Sequence, residues 1–150
     1  MTERHDILRV VTWNIHGCIG RDGQRDMHRI GACIRALAPD IAAFQEVDSR
    51  GRTAGHPDIQ DYLRKQVGDH GHTAWSISGT DGDYGQMLAS RYPLSGRKIH
   101  DISVPGREPR KVMEARVMIP ASGTARVIAT HLGLRRGERR RQLARLRDIV

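Results

Sequence analysis

Three polar residues stand directly behind apolar runs in this chain of 150 residues. Asn14 follows Val10, Val11 and Trp13; Glu46 follows Ile41 to Phe44; His131 follows Val127, Ile128 and Ala129. A short apolar run with polar ends reads as a buried strand, so each of the three is expected at a strand's C-terminal end, outside the core. Each has an ordinary explanation when taken alone. A lone Glu at such a place is usually a solvated loop residue, an Asn can close a turn onto its own backbone, and a His is more often structural than catalytic. As a set they offer a carboxylate, the donor a hard cation needs, an amide that donates and accepts without adding charge, and an imidazole.

The elements that must position them follow from periodicity. The run Ile7 to Trp13 predicts a first buried strand, and a glycine-containing loop leads from Asn14 to Gly23. Met27, Ile30, Ile34 and Leu37 recur at helical spacing over Arg25 to Leu37, and Pro39 stops that helix. Ile41 to Phe44 predicts a second strand, Gly51 to Pro57 a loop of turn formers, and Asp58 to Val67 a second helix. Strand-like runs follow at Thr73–Ser78, Gln86–Ser90, Lys98–Val104, Val112–Ile119 and Ala125–Leu132, with turn formers between them. Short links between consecutive strands imply antiparallel pairing. An Arg-rich helix from about Glu138 closes the chain, with Leu143, Leu146 and Val150 on one face. Its apolar face is barely established at Val150 and no C-cap residue follows, so the sequence reads as cut rather than finished.

Here the motifs become recognisable. Thr12-Trp13-Asn14-Ile15-His16-Gly17, Pro39-Asp40-Ile41 with Phe44-Gln45-Glu46-Val47-Asp48, Tyr84 to Leu94, Arg107-Glu108-Pro109-Arg110 and Thr130-His131-Leu132-Gly133-Leu134 occur in that order. In this series the chain resembles the N-terminal portion of the endonuclease/exonuclease/phosphatase (DNase I-like) superfamily. The resemblance implies an α/β fold, a four-layer sandwich of two facing β-sheets flanked by helices, here C-terminally incomplete. It makes Glu46 the ligand of a catalytic Mg²⁺, with Mn²⁺ as the alternative ion, and sets Asn14 beside it, holding a metal-bound or phosphate oxygen. His131 becomes a ligand of a phosphate oxygen, stabilising charge in the transition state, and Gln86 the residue that orients it. Gln86 departs from the Asn or acidic residue common at that place and adds a methylene. The resemblance also brings an Arg to the substrate phosphate, where a planar fork of donors fits; Arg107 and Arg110 are both candidates.

Two parts of the resemblance are missing. Between Leu132 and Val150 there is no Gly-Asp-x-Asn segment, no Ser-Asp-His segment and no histidine. These would position the attacking water and supply its base, a contribution of roughly a hundred- to ten-thousand-fold. The expectation is therefore one domain over 1–150, truncated after the His131 segment, inactive or weak as it stands and poorly stable alone.

Composition bounds the rest. A net charge of +8 favours polyanionic partners, nucleic acid or an anionic lipid head group. The densest positive run, Arg135, Arg136, Arg139, Arg140 and Arg141, reads first as a solvated helix face. Two cysteines, Cys18 and Cys33, make neither a disulfide framework nor a zinc motif, which points to a reducing, cytoplasmic setting. No signal peptide or bilayer-length apolar stretch is present. His70-Gly71-His72 sits in an expected glycine-rich loop and is not taken as a metal site. The reading is a Mg²⁺-dependent hydrolase of phosphate esters, of the phosphodiesterase or endonuclease type. The alternatives are a non-catalytic polyanion-binding module and a non-functional fragment. Substrate and oligomeric state stay open.

Overall fold

The computed structural model describes residues 7–51, 58–120 and 122–150; most of the expected loop Gly51 to Pro57 lies outside them. Strands β1 (Val10–Asn14), β2 (Ile41–Asp48), β3 (His70–Gly79) and β4 (Gly82–Ser90) form one sheet in the order β1-β2-β4-β3. Strands β5 (Leu94–Asp101), β6 (Lys111–Ile119) and β7 (Gly123–Thr130) form a second, in the order β5-β6-β7. β1 and β2 are parallel, as a helical crossover requires; every other pairing is antiparallel. Helices α1 (Met27–Leu37) and α2 (Ile59–Val67) cover the first sheet, and α3 (Arg136–Ile149) follows β7. No described helix is long and apolar enough to cross a membrane.

The period of two in β2 and β4 sorts their side chains between two cores. Ala42, Phe44, Met87 and Ala89 face α1 and α2, meeting Ile30, Ile34, Ile59 and Leu63. Ile41, Ala43 and Leu88 face the second sheet, meeting Met113, Ala115, Val117 and Ala129. Strands buried on both faces read as continuous apolar runs, which is why β2 stood out in the sequence. Burying each large side chain contributes about 1.5–3 kcal/mol. The helices start where Asp26 and Asp58 accept hydrogen bonds from the amides of the first turn. At the junction of β3 and β4 the chains approach so closely that a Cβ on Gly85 would lie 2.2 Å from the Ala74 carbonyl oxygen.

Several expectations are corrected. The first strand begins at Val10, not Ile7, and Val10 is 58% exposed, because β1 is the sheet edge and the second sheet covers β2, β4 and β3. Leu37 ends α1 half-exposed. The stretch His70-Gly71-His72 lies in β3, not in a loop, and the strand expected at Lys98–Val104 runs from Leu94 to Asp101. The covered face of α3 is polar. Gln142 is fully buried and accepts the Gly133 amide at 2.8 Å, and Glu138 lies beside it, while Leu143 is half-exposed and Val150 exposed. Arg126 of β7 donates to the carbonyls of Ile149 and Val150, satisfying groups that a helix end leaves without partners.

Candidate functional site

The parallel pairing of β1 with β2 sets Asn14 opposite Gln45, one residue short of Glu46. β2 bulges there: Gln45 pairs with Gln86 and Val47 with Gly85, so Glu46 has no partner across the ladder. Its φ is 55°, a conformation rare for a non-glycine residue. A bulge turns a side chain away from the direction its strand would give it, and here the carboxylate turns toward the end of β1. Asn14 Nδ2 donates to Glu46 Oε1 at 2.7 Å, and Asn14 Oδ1 accepts the His16 amide at 3.0 Å.

After Asn14 the chain makes a short 3-10 turn, closed by the Cys18 amide on the Ile15 carbonyl. His16, Gly17 and Cys18 all have positive φ, at 48°, 59° and 66°. The turn folds His16 back so that its Nδ1 lies 3.0 Å from Glu46 Oε2, with most of the ring in solvent. Strained non-glycine backbone persists only where its surroundings hold it, and it clusters at functional sites.

The second sheet meets the same edge. β7 ends at Thr130, which brings His131 Nε2 to 3.9 Å from Glu46 Oε1. β6 begins at Lys111, which puts Arg110 just outside the sheet, buried and paired with Glu108. Arg110 Nε is buried with no hydrogen-bond partner among the described residues.

Electrostatics bind these groups into one unit. Burial pushes the Glu46 carboxyl up, but the hydrogen bonds from Asn14 and His16 and the charges of both histidines outweigh it, so its pKa lies below the ordinary value. Burial and then the Arg110 charge hold His131 below its ordinary value, against the pull of Glu46 and Glu108. The Tyr84 hydroxyl is pushed up to about 12 by burial and by the Glu46 and Glu108 carboxylates, so it stays a proton donor. Arg50 stacks 4.7 Å over the Tyr84 ring and pairs with Asp48.

Thus Asn14, Glu46 and His131 come together, with Arg110 close enough to act on His131 by its charge. Arg107 is exposed on the turn before β6, and among the described residues no hydrogen bond or ion pair joins its side chain to the others. Gln86 does not hold His131: its amide donates to the Lys111 carbonyl at 2.6 Å, and its Oε1 is buried without a partner. It faces the interior between the sheets, as Leu88 two residues on does. Sequence reasoning passed over His16 and Tyr84 as site residues. Both lie inside the motifs quoted above, and the signal available was their closeness to Asn14 and Gln86.

The donor set fits one kind of cation. Among the described residues no three His, Cys, Asp or Glu side chains are grouped to hold a metal. A site closed by protein ligands, as for structural zinc, is therefore not the fit. One carboxylate at an open edge suits an octahedral cation that keeps water and takes substrate oxygens.

A cleft of about 550 Å³ adjoins Asn14 and His16, lined further by Ile15, Ile19, Arg21 and Ile30.

Two facing sheets with helices outside, and polar groups gathered where strand ends meet, define the DNase I-like class of α/β fold. The chain belongs to the Endonuclease/Exonuclease/phosphatase family, whose sequence profile matches residues 11–150. The protein YbhP of Escherichia coli strain K12 is 31% identical over 158 residues, covering 95% of this chain. This chain spans 60% of the length of that relative. Among solved structures, an endonuclease/exonuclease/phosphatase from Beutenbergia cavernae superimposes with a TM-score of 0.79 at 27% identity, over 95% of this chain and 44% of that one. TDP2 from Caenorhabditis elegans superimposes with a TM-score of 0.64 at 20% identity, over 95% and 40%, a likeness of fold alone.

Proposed function

We propose that this chain forms the metal-holding and phosphate-holding half of a divalent-cation-dependent phosphodiesterase. The observation that carries the reading is the Asn14–Glu46 contact of 2.7 Å, with His131 at 3.9 Å from the same carboxylate oxygen. Glu46 would hold the cation, Mg²⁺ or Mn²⁺, which when bound polarises a phosphoryl oxygen as a Lewis acid. Asn14 fixes the rotamer of Glu46 and shares its negative charge through a donated hydrogen bond. His131, whose pKa burial and then Arg110 hold below the ordinary value, donates a hydrogen bond to a non-bridging phosphate oxygen. Arg110, buried with an unused Nε–H, compensates charge that grows on that phosphate as the leaving oxygen departs. Tyr84, locked in its protonated form, offers a further donor at the rim.

Activation of the attacking water is assigned to no residue of this chain, since residues 132–150 contain neither a Gly-Asp-x-Asn nor a Ser-Asp-His segment. The net charge of +8 supports a polyanionic substrate, nucleic acid or an anionic lipid head group.

The test is turnover of a generic aryl phosphodiester with Mg²⁺ or Mn²⁺. We expect slow release of the aryl alcohol, abolished by chelation and by Glu46→Ala. Turnover indifferent to both would overturn the reading. A second reading, polyanion binding without catalysis, has one observation in its favour: Arg136, Arg140 and Arg141 stand exposed on α3. Salt-sensitive DNA binding with no cation-dependent turnover would support it.

A further inference from the structure

We infer that His16 is a nitrogen ligand of the cation held by Glu46, and that the site therefore selects first-row transition cations over Mg²⁺. The inference rests on the metal-site reading above and deepens it.

Three observations carry it. First, His16 Nδ1 lies 3.0 Å from Glu46 Oε2. His16 donates a hydrogen bond to Glu46 here, and a cation can take the place of that proton. An octahedral cation with bonds of about 2.1 Å holds neighbouring donors about 3.0 Å apart, which matches this pair without movement of either side chain. Second, both residues pay backbone strain to face each other: His16 has φ 48° and Glu46 φ 55°, one from a tight turn and one from a bulge. A solvated surface histidine has no need of such a conformation. Third, the opposite ring edge is open. The side chain is 73% exposed, so Nε2 is open to water and can carry the ring's proton once a cation has replaced the one on Nδ1.

His131 does not compete for the place. Its Nε2 approaches the other carboxylate oxygen, Oε1, which already accepts from Asn14. The two protein donors, Glu46 and His16, leave the remaining positions to water and substrate oxygens. Imidazole binds later transition ions better than it binds Mg²⁺, whose preference is for oxygen alone.

The experiment uses Mn²⁺ as a paramagnetic probe on the purified protein. Electron-spin-echo spectra should show nitrogen coupling from a directly bound imidazole. Mn²⁺ should be displaced by Mg²⁺ only at concentrations about tenfold or more above its own. His16→Asn keeps a residue that tolerates positive φ; it should remove the nitrogen coupling and bring Mn²⁺ and Mg²⁺ affinities within about threefold. His16→Asp, an oxygen donor at the same place, should shift the preference toward Mg²⁺. Circular-dichroism melts confirm that both variants fold. Bound Mn²⁺ that depends on Glu46 but shows no nitrogen coupling, or coupling that survives His16→Asn, overturns the inference and leaves the metal site standing. Mn²⁺ binding unchanged in Glu46→Gln overturns both.

Discussion

Asn14 ends β1, Glu46 lies two residues before the end of the adjacent parallel strand β2, and the two are joined at 2.7 Å, amide nitrogen to carboxylate oxygen. The contact exists because β2 bulges one residue beyond the point where Asn14 finds its partner in the ladder. A charge enters here if Asn14→Asp is made, setting two carboxylates where one was bonded. The donor is lost and like charges meet, at a cost of about 1–3 kcal/mol. The expected outcome is a lower melting temperature in chelator that Mn²⁺ restores, by a larger shift than in the parent protein, since a ligand stabilises only the folded state. Equal melting temperatures in chelator would count against the contact.

Glu114 of the second sheet is one of the carboxylates that contribute to acid stability. Glu114 lies between Arg126 at 2.9 Å and His100 at 2.8 Å. The Arg126 hydrogen bond, then that of His100, lowers its pKa from 4.5 to about 2. The folded value is below the unfolded one, so the contribution is fully present above about pH 4.5 and is lost as pH falls toward 2. Glu114→Gln should lower stability at pH 7 and flatten its fall between pH 4.5 and 2. Urea melts at several pH values measure this.

Gly85 carries the approach of β3 to β4 next to Tyr84. A methyl group there would press on the Ala74 carbonyl, a backbone atom that cannot step aside. Gly85→Ala should destabilise by about 3 kcal/mol, the upper end of overpacking, and blunt any activity. A melting temperature within 1–2 °C of the parent would contradict the register described.

Ala38 ends α1 in the left-handed region, with φ 46°. A non-glycine residue there costs about 1–2 kcal/mol, and glycine's greater freedom in the unfolded chain offsets about 0.4–1 of it. Ala38→Gly is expected to stabilise by about 0.5–1 kcal/mol, raising the melting temperature by about 1–4 °C.

Much of this was legible before the structure. Ile41 to Phe44 predicts a buried strand, and a polar residue at its end has to emerge at an edge, which located Glu46. What periodicity cannot report is a bulge, so the turn of Glu46 toward Asn14 and His16 was hidden. The motif alone does not give His16 a partner, because its contact joins residues 30 apart in sequence. Gln86 misled for the same reason in reverse. Its amide crosses between the sheets to the Lys111 carbonyl, a contact fixed by tertiary packing. The face of α3 was assigned from its leucines, but Gln142 wins the interior because the Gly133 amide needs an acceptor there.

The central claim is that Glu46 holds a divalent cation at the meeting edge of the two sheets. Anomalous diffraction from crystals grown with Mn²⁺ tests it most directly. The account predicts one strong peak about 2.1–2.3 Å from a Glu46 carboxylate oxygen, absent from crystals of Glu46→Gln. A peak elsewhere, with the Asn14–Glu46–His16 contacts undisturbed, would contradict it.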